Sequence, residues 1–224
     1  MKITFLGTGA ADWNAQEHRH MAGYRRNSSA LIDDCLLIDP GPDVPEALTA
    51  FGKCPKKIRY IINTHRHSDH YSEDTVNTLA HAKLISIPAG ETCTVGPYTV
   101  KALAANHATC PDAVHFLLTD GEKTLFYGLD GAWLLYEEVM AIQATTVDLA
   151  VFDATIGDVP GDYRVFEHNN LNMVREIQLS LGPCVKRICI SHLARTLHTD
   201  HATLSATLAP RSIEVAYDGW ETEI

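Results

Sequence analysis

The densest group of chemically active side chains in this 224-residue chain is a short polar segment. It follows the apolar run 58–62 and reads Thr64-His65-Arg66-His67-Ser68-Asp69-His70. Imidazole nitrogens and carboxylate oxygens are common ligands of divalent metals. His65 and His67 are two apart on extended backbone and can share one metal, whereas Asp69 and His70 lie past a bend and can reach a second. The segment therefore predicts a metal centre with two ions.

Three more potential ligands stand after other apolar runs, where strands are expected to end. They are His107 after 98–103, Asp130 after 124–127 and His192 after 187–190. A metal site draws its donors from several elements, so side chains at strand ends are suited to meet at one point. The chain contains 12 histidines, and most stand in or beside predicted loops, which supports the prediction of a metal centre.

The elements that must position these side chains follow from the hydrophobic pattern. Strands are predicted at 2–6, 29–32, 35–38, 58–62, 83–87, 98–103, 114–119, 124–127, 149–152, 187–190 and 213–217, and helices at 44–51, 72–82, 133–144, 170–181 and 202–208. This order predicts an α/β protein in which two sheets pack together with helices outside. No repeat or low-complexity linker interrupts the pattern, so residues 1–224 are predicted to form one domain.

Composition and charge limit the kinds of partner that the protein is expected to bind. The formal net charge is −10, which argues against a protein that binds nucleic acid or an anionic membrane through bulk charge. No apolar run has the ~18 residues that a membrane helix needs, and the N-terminal segment has no secretory signal pattern. The six cysteines form no C-x-x-C pair. We therefore expect a cytoplasmic protein with a small anionic substrate and neither a membrane nor a nucleic acid as its partner.

The motifs together resemble the metallo-β-lactamase superfamily of binuclear metallohydrolases. Besides the segment 64–70, the opening residues 5–11 and the segment 37–41 are similar to the family's first strand and to its structural aspartate motif. The resemblance spans nearly the whole chain, from Lys2 to Gly219. It implies the metallo-β-lactamase fold, a four-layer αββα sandwich, with the metals at the edge between the two sheets.

The resemblance also implies a role for each candidate ligand. It assigns the first metal to His65, His67 and His107, the second to Asp69, His70 and His192, and a bridging position to Asp130. Asp39 resembles the family's carboxylate that positions the histidine loop rather than the substrate. The ligand set contains no thiolate, so zinc and manganese are both options for the two divalent metal ions.

This ligand set has consequences for the chemistry. Two divalent ions outweigh the charges of Asp69, Asp130 and a hydroxide that bridges the ions, so the centre attracts a small anionic ester. Two close ions also activate their shared water and stabilise the attacking and leaving oxygens. Hydrolysis is therefore the expected reaction.

Within the superfamily, the chain is most similar to the branch that includes the accessory phosphodiesterase of the carbon–phosphorus lyase pathway. The segments 24–29 and 217–219 and the short chain carry this resemblance. It implies a phosphodiesterase that acts on a small phosphodiester or cyclic phosphate. A lactonase of a phosphorylated sugar is an alternative with the same metals. A tRNA 3′-end endonuclease is less favoured because no Lys/Arg-rich insertion is present, and a homodimer is one option for the assembly.

Other residues are candidates for substrate binding or proton transfer. His168 precedes a predicted helix, where it could meet a phosphate, and Arg25 could clamp one bidentately. Asp69 and His198 are the expected catalytic residues, with His198 as the donor of a proton to the leaving oxygen. The accessory phosphodiesterase holds a structural zinc through cysteines at the positions where this chain has His18 and His20. Either these two histidines bind that zinc instead, or the stretch that contains them is an active-site loop.

Overall fold

The computed structural model describes residues 1–224 and contains two β-sheets. The first sheet has six strands, β1 (Lys2–Gly7), β2 (Ser29–Ile32), β3 (Leu36–Ile38), β4 (Tyr60–Ile62), β5 (Lys83–Ile85) and β13 (Glu221–Glu223). Their spatial order is β13-β1-β2-β3-β4-β5. The pairs β3–β4 and β4–β5 are parallel, so these strands all end at one edge of the sheet.

The second sheet has seven strands, which lie side by side in the same order in which they occur along the chain. They are β6 (Thr92–Val95), β7 (Tyr98–Ala104), β8 (Val114–Thr119), β9 (Thr124–Gly128), β10 (Leu149–Asp153), β11 (Ile188–Ser191) and β12 (Ile213–Val215). Neighbours from β6 to β9 are antiparallel and those from β9 to β12 are parallel. The ends of β9, β10 and β11 therefore lie side by side.

Helices flank the two sheets. They are α1 (Ala15–His18), α2 (Val44–Ala50), α3 (Glu73–Thr78), α4 (Tyr136–Gln143), α5 (Leu171–Leu181) and α6 (His201–Leu208). The predicted αββα sandwich is confirmed. None of these helices combines the length and the apolar character that crossing a membrane requires.

Three hydrophobic clusters hold the four layers together. The largest contains side chains from both sheets, such as Phe5 of β1 and Phe116 of β8. A second joins the outer face of the seven-stranded sheet to α5 through residues such as Val174, and a third joins the six-stranded sheet to α2 through residues such as Leu48. Burial of apolar surface in each layer supplies the main stabilising free energy.

The structure differs from the predicted elements mainly at edges and helix ends. The strands β6 and β13 and the short helix α1 were not predicted, because their sequences are polar and largely exposed. Helix α4 begins three residues later than expected. Trp133 has a φ of 60° and donates its backbone N–H to Asn169 Oδ1 at 2.7 Å, which keeps it outside the helix. Helix α3 ends at Thr78 rather than near residue 82.

Candidate metal centre

Strand ends from both sheets meet at one edge of the sandwich. The histidine segment 64–70 follows β4 of the six-stranded sheet, and His107, Asp130 and His192 follow β7, β9 and β11 of the other sheet. The backbone links the two contributions, because Val114 at the start of β8 donates its N–H to the Thr64 carbonyl at 3.0 Å. The convergence expected from the positions of these residues in the sequence is therefore present.

One group of donor atoms consists of His65, His67, His107 and Asp130. All its ligand atoms lie within 4.8 Å of one another. His107 Nε2 is 3.1 Å from His67 Nδ1, and His65 Nε2 is 3.1 Å from Asp130 Oδ2. These are the three histidines expected at the first metal, together with the expected bridging aspartate.

A second group consists of Asp69, His70, Asp130 and His192. His70 Nε2 lies 3.4 Å from Asp69 Oδ2 and 3.1 Å from Asp130 Oδ2. His192 Nε2 lies 2.9 Å from Asp130 Oδ1. Asp130 belongs to both groups, so its carboxylate stands where a ligand shared by two ions would be.

The donor atoms fit metal ions because hydrogen bonding leaves them unsatisfied. Nε2 of His65, His70 and His192 and Oδ1 of Asp130 are buried and have no partner with hydrogen-bond geometry, although nitrogen and oxygen approach within about 3 Å. Buried polar atoms are rarely left without a partner. Neutral imidazole and carboxylate lone pairs that converge in this way suit divalent ions.

Two threonine hydroxyls orient imidazoles of the candidate ligands in the same manner. Thr64 Oγ1 lies 3.0 Å from His65 Nδ1 and donates to Asp39 at 2.9 Å. Thr155 Oγ1 lies 2.8 Å from His192 Nδ1 and donates to Asp153 at 2.8 Å. Each hydroxyl proton is directed to an aspartate, so the hydroxyl oxygen accepts from the imidazole Nδ1–H. Nε2 of each histidine is thereby left as the ligand atom.

Asp39 is fully buried and holds the histidine segment directly. Its carboxylate accepts from the backbone N–H of Thr64 at 2.7 Å, from Asn63 Nδ2 at 3.0 Å and from His70 Nδ1 at 2.9 Å. The bond from His70 directs Nε2 of that ring toward Asp69 and Asp130. This geometry agrees with the positioning role expected for Asp39.

The backbone at the centre adopts conformations that cost free energy. Asp39, Asp130 and His192 have φ values of 60°, 58° and 57°, in the left-handed region that most L-residues avoid. Such conformations persist where the surrounding structure imposes them, and they concentrate at functional sites. Here two of the three residues are candidate ligands and the third orients one.

The charges of the cluster shift the pKa values of its members. Burial opposes ionisation of Asp69, but the charge of His70 and a hydrogen bond from His192 hold the pKa of Asp69 well below its usual range. Burial likewise opposes ionisation of Asp130, and His192 and His70 outweigh it, so the pKa of Asp130 is also strongly lowered. Burial lowers the pKa of His107 to about 4. The carboxylates are therefore ionised and His107 is neutral at neutral pH, as metal binding requires.

The centre opens into a cavity of about 280 Å³ that His168 lines. His168 donates Nδ1–H to Asp153 Oδ2 at 2.6 Å, and its ring stacks on that of His192 with centroids 5.5 Å apart. Burial opposes protonation of His168, but the charges of Asp153 and Asp130 outweigh it and raise the pKa of His168. Asp153 was not among the expected site residues, although its place at the end of β10 resembles that of Asp130 after β9.

Two expected site residues do not line this cavity. Arg25 donates to Thr8 Oγ1 at 2.6 Å and to the Ala216 carbonyl at 2.8 Å, so its guanidinium is used within the fold. His198 Nε2 lies 2.8 Å from the Ala154 carbonyl and donates to it. Their positions give no support to phosphate binding by Arg25 or to proton donation by His198, because the hydrogen-bonding atoms of both face the protein.

The remaining wall of the cavity comes from residues outside the predicted site residues. Its polar side chains outside the groups above are Asp12, Thr109, Thr155, Arg164 and Glu167. No local sequence pattern marks them. His18 is not part of the centre: its Nδ1 accepts from the backbone N–H of Asn14 at 3.1 Å, and neither His18 nor His20 belongs to a group of potential ligands.

Fold and site together define an αββα protein with a candidate metal centre between the ends of its sheets. A family model for the metallo-beta-lactamase superfamily matches residues 23–73, which include Asp39 and the histidine segment. Over this segment the chain is similar to the metallo-β-lactamase superfamily, and the match covers about a quarter of its length. The candidate ligands after β7, β9 and β11 lie outside the matched residues, and the fold brings them to the candidate centre.

A curated relative and two solved structures are similar to the chain. It is 30% identical over 112 residues to a UPF0173 protein of Pyrococcus abyssi, across 42% of this chain and 50% of that protein, so it spans about half the length of this relative. The metallo-beta-lactamase fold protein YhfI from Bacillus subtilis superposes with a TM-score of 0.77 at 19% identity, covering 100% of this chain and 99% of that one. A diphosphatase from the PhnP family gives 0.72 at 19% identity, with 100% and 98% covered. At these identities the two structures show the shared fold.

Proposed function

We propose that the chain is a hydrolase with two divalent metal ions, zinc or manganese, that cleaves a small phosphodiester or cyclic phosphate. The observation that carries this proposal is the pair of donor groups that share Asp130. Two bound ions would lower the pKa of a water molecule between them and stabilise the attacking and leaving oxygens. The first ion would be held by His65, His67 and His107, and the second by Asp69, His70 and His192.

His168 would supply the proton that the leaving oxygen needs. Its Nδ1–H is bound to Asp153, which leaves Nε2 for the cavity. A proton at Nε2 can pass to the leaving oxygen, and Asp153 stabilises the imidazole while it carries that proton. The stacked ring of His192 and the bond to Asp153 fix the orientation of His168. His168 therefore takes the role that was expected of His198.

The cavity and the charge of the protein support a small phosphate ester as the substrate. A volume of about 280 Å³ suits a small molecule, and the net charge of −10 disfavours a long polyanion. The structural likeness to a diphosphatase supports phosphoryl chemistry. A lactonase would use the same donors, so lactones belong in the substrate panel.

Activity on bis(p-nitrophenyl) phosphate is the direct test of this proposal. We expect turnover after loading with zinc or manganese, no turnover after chelation, and recovery on reloading. His67→Ala is expected to lower kcat/KM by about 10²-fold or more, because the first ion loses one of its three histidines. Circular dichroism and metal analysis of the variant separate loss of the ion from loss of folding.

The same panel includes cyclic nucleotides, sugar lactones and a tRNA precursor, each assayed with both metals. Hydrolysis of lactones alone, cleavage of the tRNA precursor alone, or turnover of diesters that His67→Ala leaves unchanged would each contradict the proposal. An iron-rich, redox-active protein purified without added metal would also contradict it.

A paired substitution tests which histidine supplies the proton. His168→Ala is expected to lower kcat by about 10²- to 10⁴-fold on a substrate with a poor leaving group, and by less on a p-nitrophenyl ester, whose leaving group needs little protonation. His198→Ala is expected to keep kcat within about fivefold of the wild-type value on both substrates. His198 Nε2 is bound to the carbonyl of Ala154, the residue that follows β10, and does not face the cavity. Equal losses in the two variants, or a loss in His168→Ala that does not depend on the leaving group, would refute the assignment.

A further inference from the structure

Arg164 is the only lysine or arginine among the side chains that line the metal cavity. It belongs to the 3₁₀ helix Tyr163–Phe166, which precedes His168. Its side chain is 31% exposed. The guanidinium is therefore at the cavity wall and only partly in contact with solvent. Neither the metal centre nor the proton transfer uses this group.

One edge of the Arg164 guanidinium is occupied and the other is open. Nε donates to Asp162 Oδ1 at 2.8 Å and Nη2 donates to Asp162 Oδ2 at 2.6 Å, a bidentate pair. A guanidinium has a second edge, formed by Nη1 and the remaining N–H of Nη2, with the same fork geometry. Nη1 has no hydrogen-bond partner in the protein, and Nη2 has none apart from Asp162. This edge matches the spacing of two oxygens of a carboxylate or phosphate.

Asp162 also fixes the backbone beneath Arg164. Its Oδ1 accepts from the Arg164 N–H at 2.9 Å and caps the 3₁₀ helix. The same carboxylate therefore holds both the backbone and the side chain of Arg164. A donor held in this way loses little conformational entropy when it binds an anion.

The other carboxylates at the mouth of the cavity are engaged elsewhere. Both oxygens of Asp12 lie 3.0 Å from the backbone N–H of Arg195, and Glu167 Oε2 accepts from Thr109 Oγ1 at 3.0 Å. Neither forms an ion pair with Arg164, whose only ion pair is with Asp162. The open edge is therefore available to a ligand.

We infer that Arg164 binds a second anionic group of the substrate, distinct from the ester that is cleaved. This inference rests on the proposed function, because it places the scissile ester at the metal donors and the second oxyanion at Arg164 in the same cavity. The substrate class is then a small phosphodiester with a carboxylate or phosphate on its non-leaving arm. Arg164 determines specificity, and Asp162 is its positioning residue.

Three p-nitrophenyl phosphodiesters that differ only in the non-leaving arm test the inference on the metal-loaded protein. The arms are n-propyl, 2-carboxyethyl and 2-phosphonoethyl, so the second and third compare the two oxyanions. We expect the wild-type protein to show a KM about tenfold lower for at least one anionic arm than for n-propyl, with similar kcat. Arg164→Gln is expected to remove this preference and to leave KM for the n-propyl ester within about twofold.

Two further variants complete the design. Arg164→Lys keeps the charge without the fork and should recover only part of the preference. Arg175→Gln removes a half-buried arginine of α5 that does not line the metal cavity, and it should behave like the wild-type protein, which controls for the change in net charge. Because the wild-type comparison of arms needs no variant, poor folding of Arg164→Gln would not prevent a result.

The outcomes separate this inference from the proposed function. Absence of diester hydrolysis with either metal would overturn the proposed function and the inference with it. Hydrolysis of all three esters with equal KM would overturn the inference alone. Equal slowing of all three esters in Arg164→Gln would also overturn it, since Arg164 would then contact the group that is cleaved.

Discussion

Asp130→Asn is expected to lower kcat/KM by about 10³-fold or more and to reduce the bound metal at both positions. The Asp130 carboxylate lies 3.1 Å from Nε2 of His65 and of His70 and 2.9 Å from Nε2 of His192, so it is the one side chain common to both groups of donors. An amide has the same shape but carries no negative charge, and only one of its two terminal atoms can act as a ligand. Asparagine also tolerates the left-handed φ of 58° at this position, which keeps the backbone unchanged.

Metal analysis, circular dichroism and phosphodiester kinetics on the same preparation measure this effect. Asp148→Asn is a matched control, because Asp148 is also a buried aspartate at a strand of the same sheet and accepts from the Thr124 N–H at 2.9 Å, away from the metal donors. The control is expected to lose stability and to keep its metal and its kcat. A folded Asp130→Asn protein that retains two ions and more than a tenth of the turnover would contradict the assignment of Asp130 as the shared ligand.

Much of the candidate centre could be predicted because its potential ligands stand where strands end. In a sandwich of this kind, the ends of parallel strands share an edge, so a His or Asp directly after a buried apolar run is a candidate ligand. His107, Asp130 and His192 satisfy this pattern. Asp153 satisfies it too, and the structure shows that the pattern applied equally to β10.

The remaining residues of the site could not be predicted, because they depend on how loops fold over the strand ends. His198 and His168 have similar sequence surroundings, each in a polar stretch before a helix. Only the path of the chain turns His198 toward the Ala154 carbonyl and His168 toward the cavity. Arg25 has the sequence context of a phosphate ligand, yet the Thr8 hydroxyl and the Ala216 carbonyl occupy its guanidinium. Side-chain direction in a loop is set by tertiary partners rather than by local periodicity.

Asp39→Asn is expected to weaken metal binding by about 10- to 100-fold, although Asp39 is not a ligand. His70 donates Nδ1–H to Asp39 Oδ2 at 2.9 Å, while Thr64 N–H is bound by Oδ1 at 2.7 Å. In asparagine one of these positions becomes an NH₂ group. If the carbonyl stays with the Thr64 N–H, the NH₂ faces His70 Nδ1, where two donors would meet. His70 then favours the tautomer with its proton on Nε2, and that proton blocks the ligand atom.

The same substitution is expected to reduce the free energy of unfolding of the metal-free protein by about 2–3 kcal/mol, because a fully buried carboxylate loses charge-assisted hydrogen bonds. Asparagine accommodates the φ of 60° at residue 39, so the loss reflects hydrogen bonding rather than backbone strain. Urea denaturation measures stability, and competition with a chelator measures metal affinity. Asp43→Asn is the control: Asp43 is buried and accepts from the Asn27 N–H at 2.9 Å, with no contact to a ligand histidine. It should lose stability while keeping its metal affinity, and an equal fall in affinity in both variants would show that Asp39 acts through general stability instead of through the tautomer of His70.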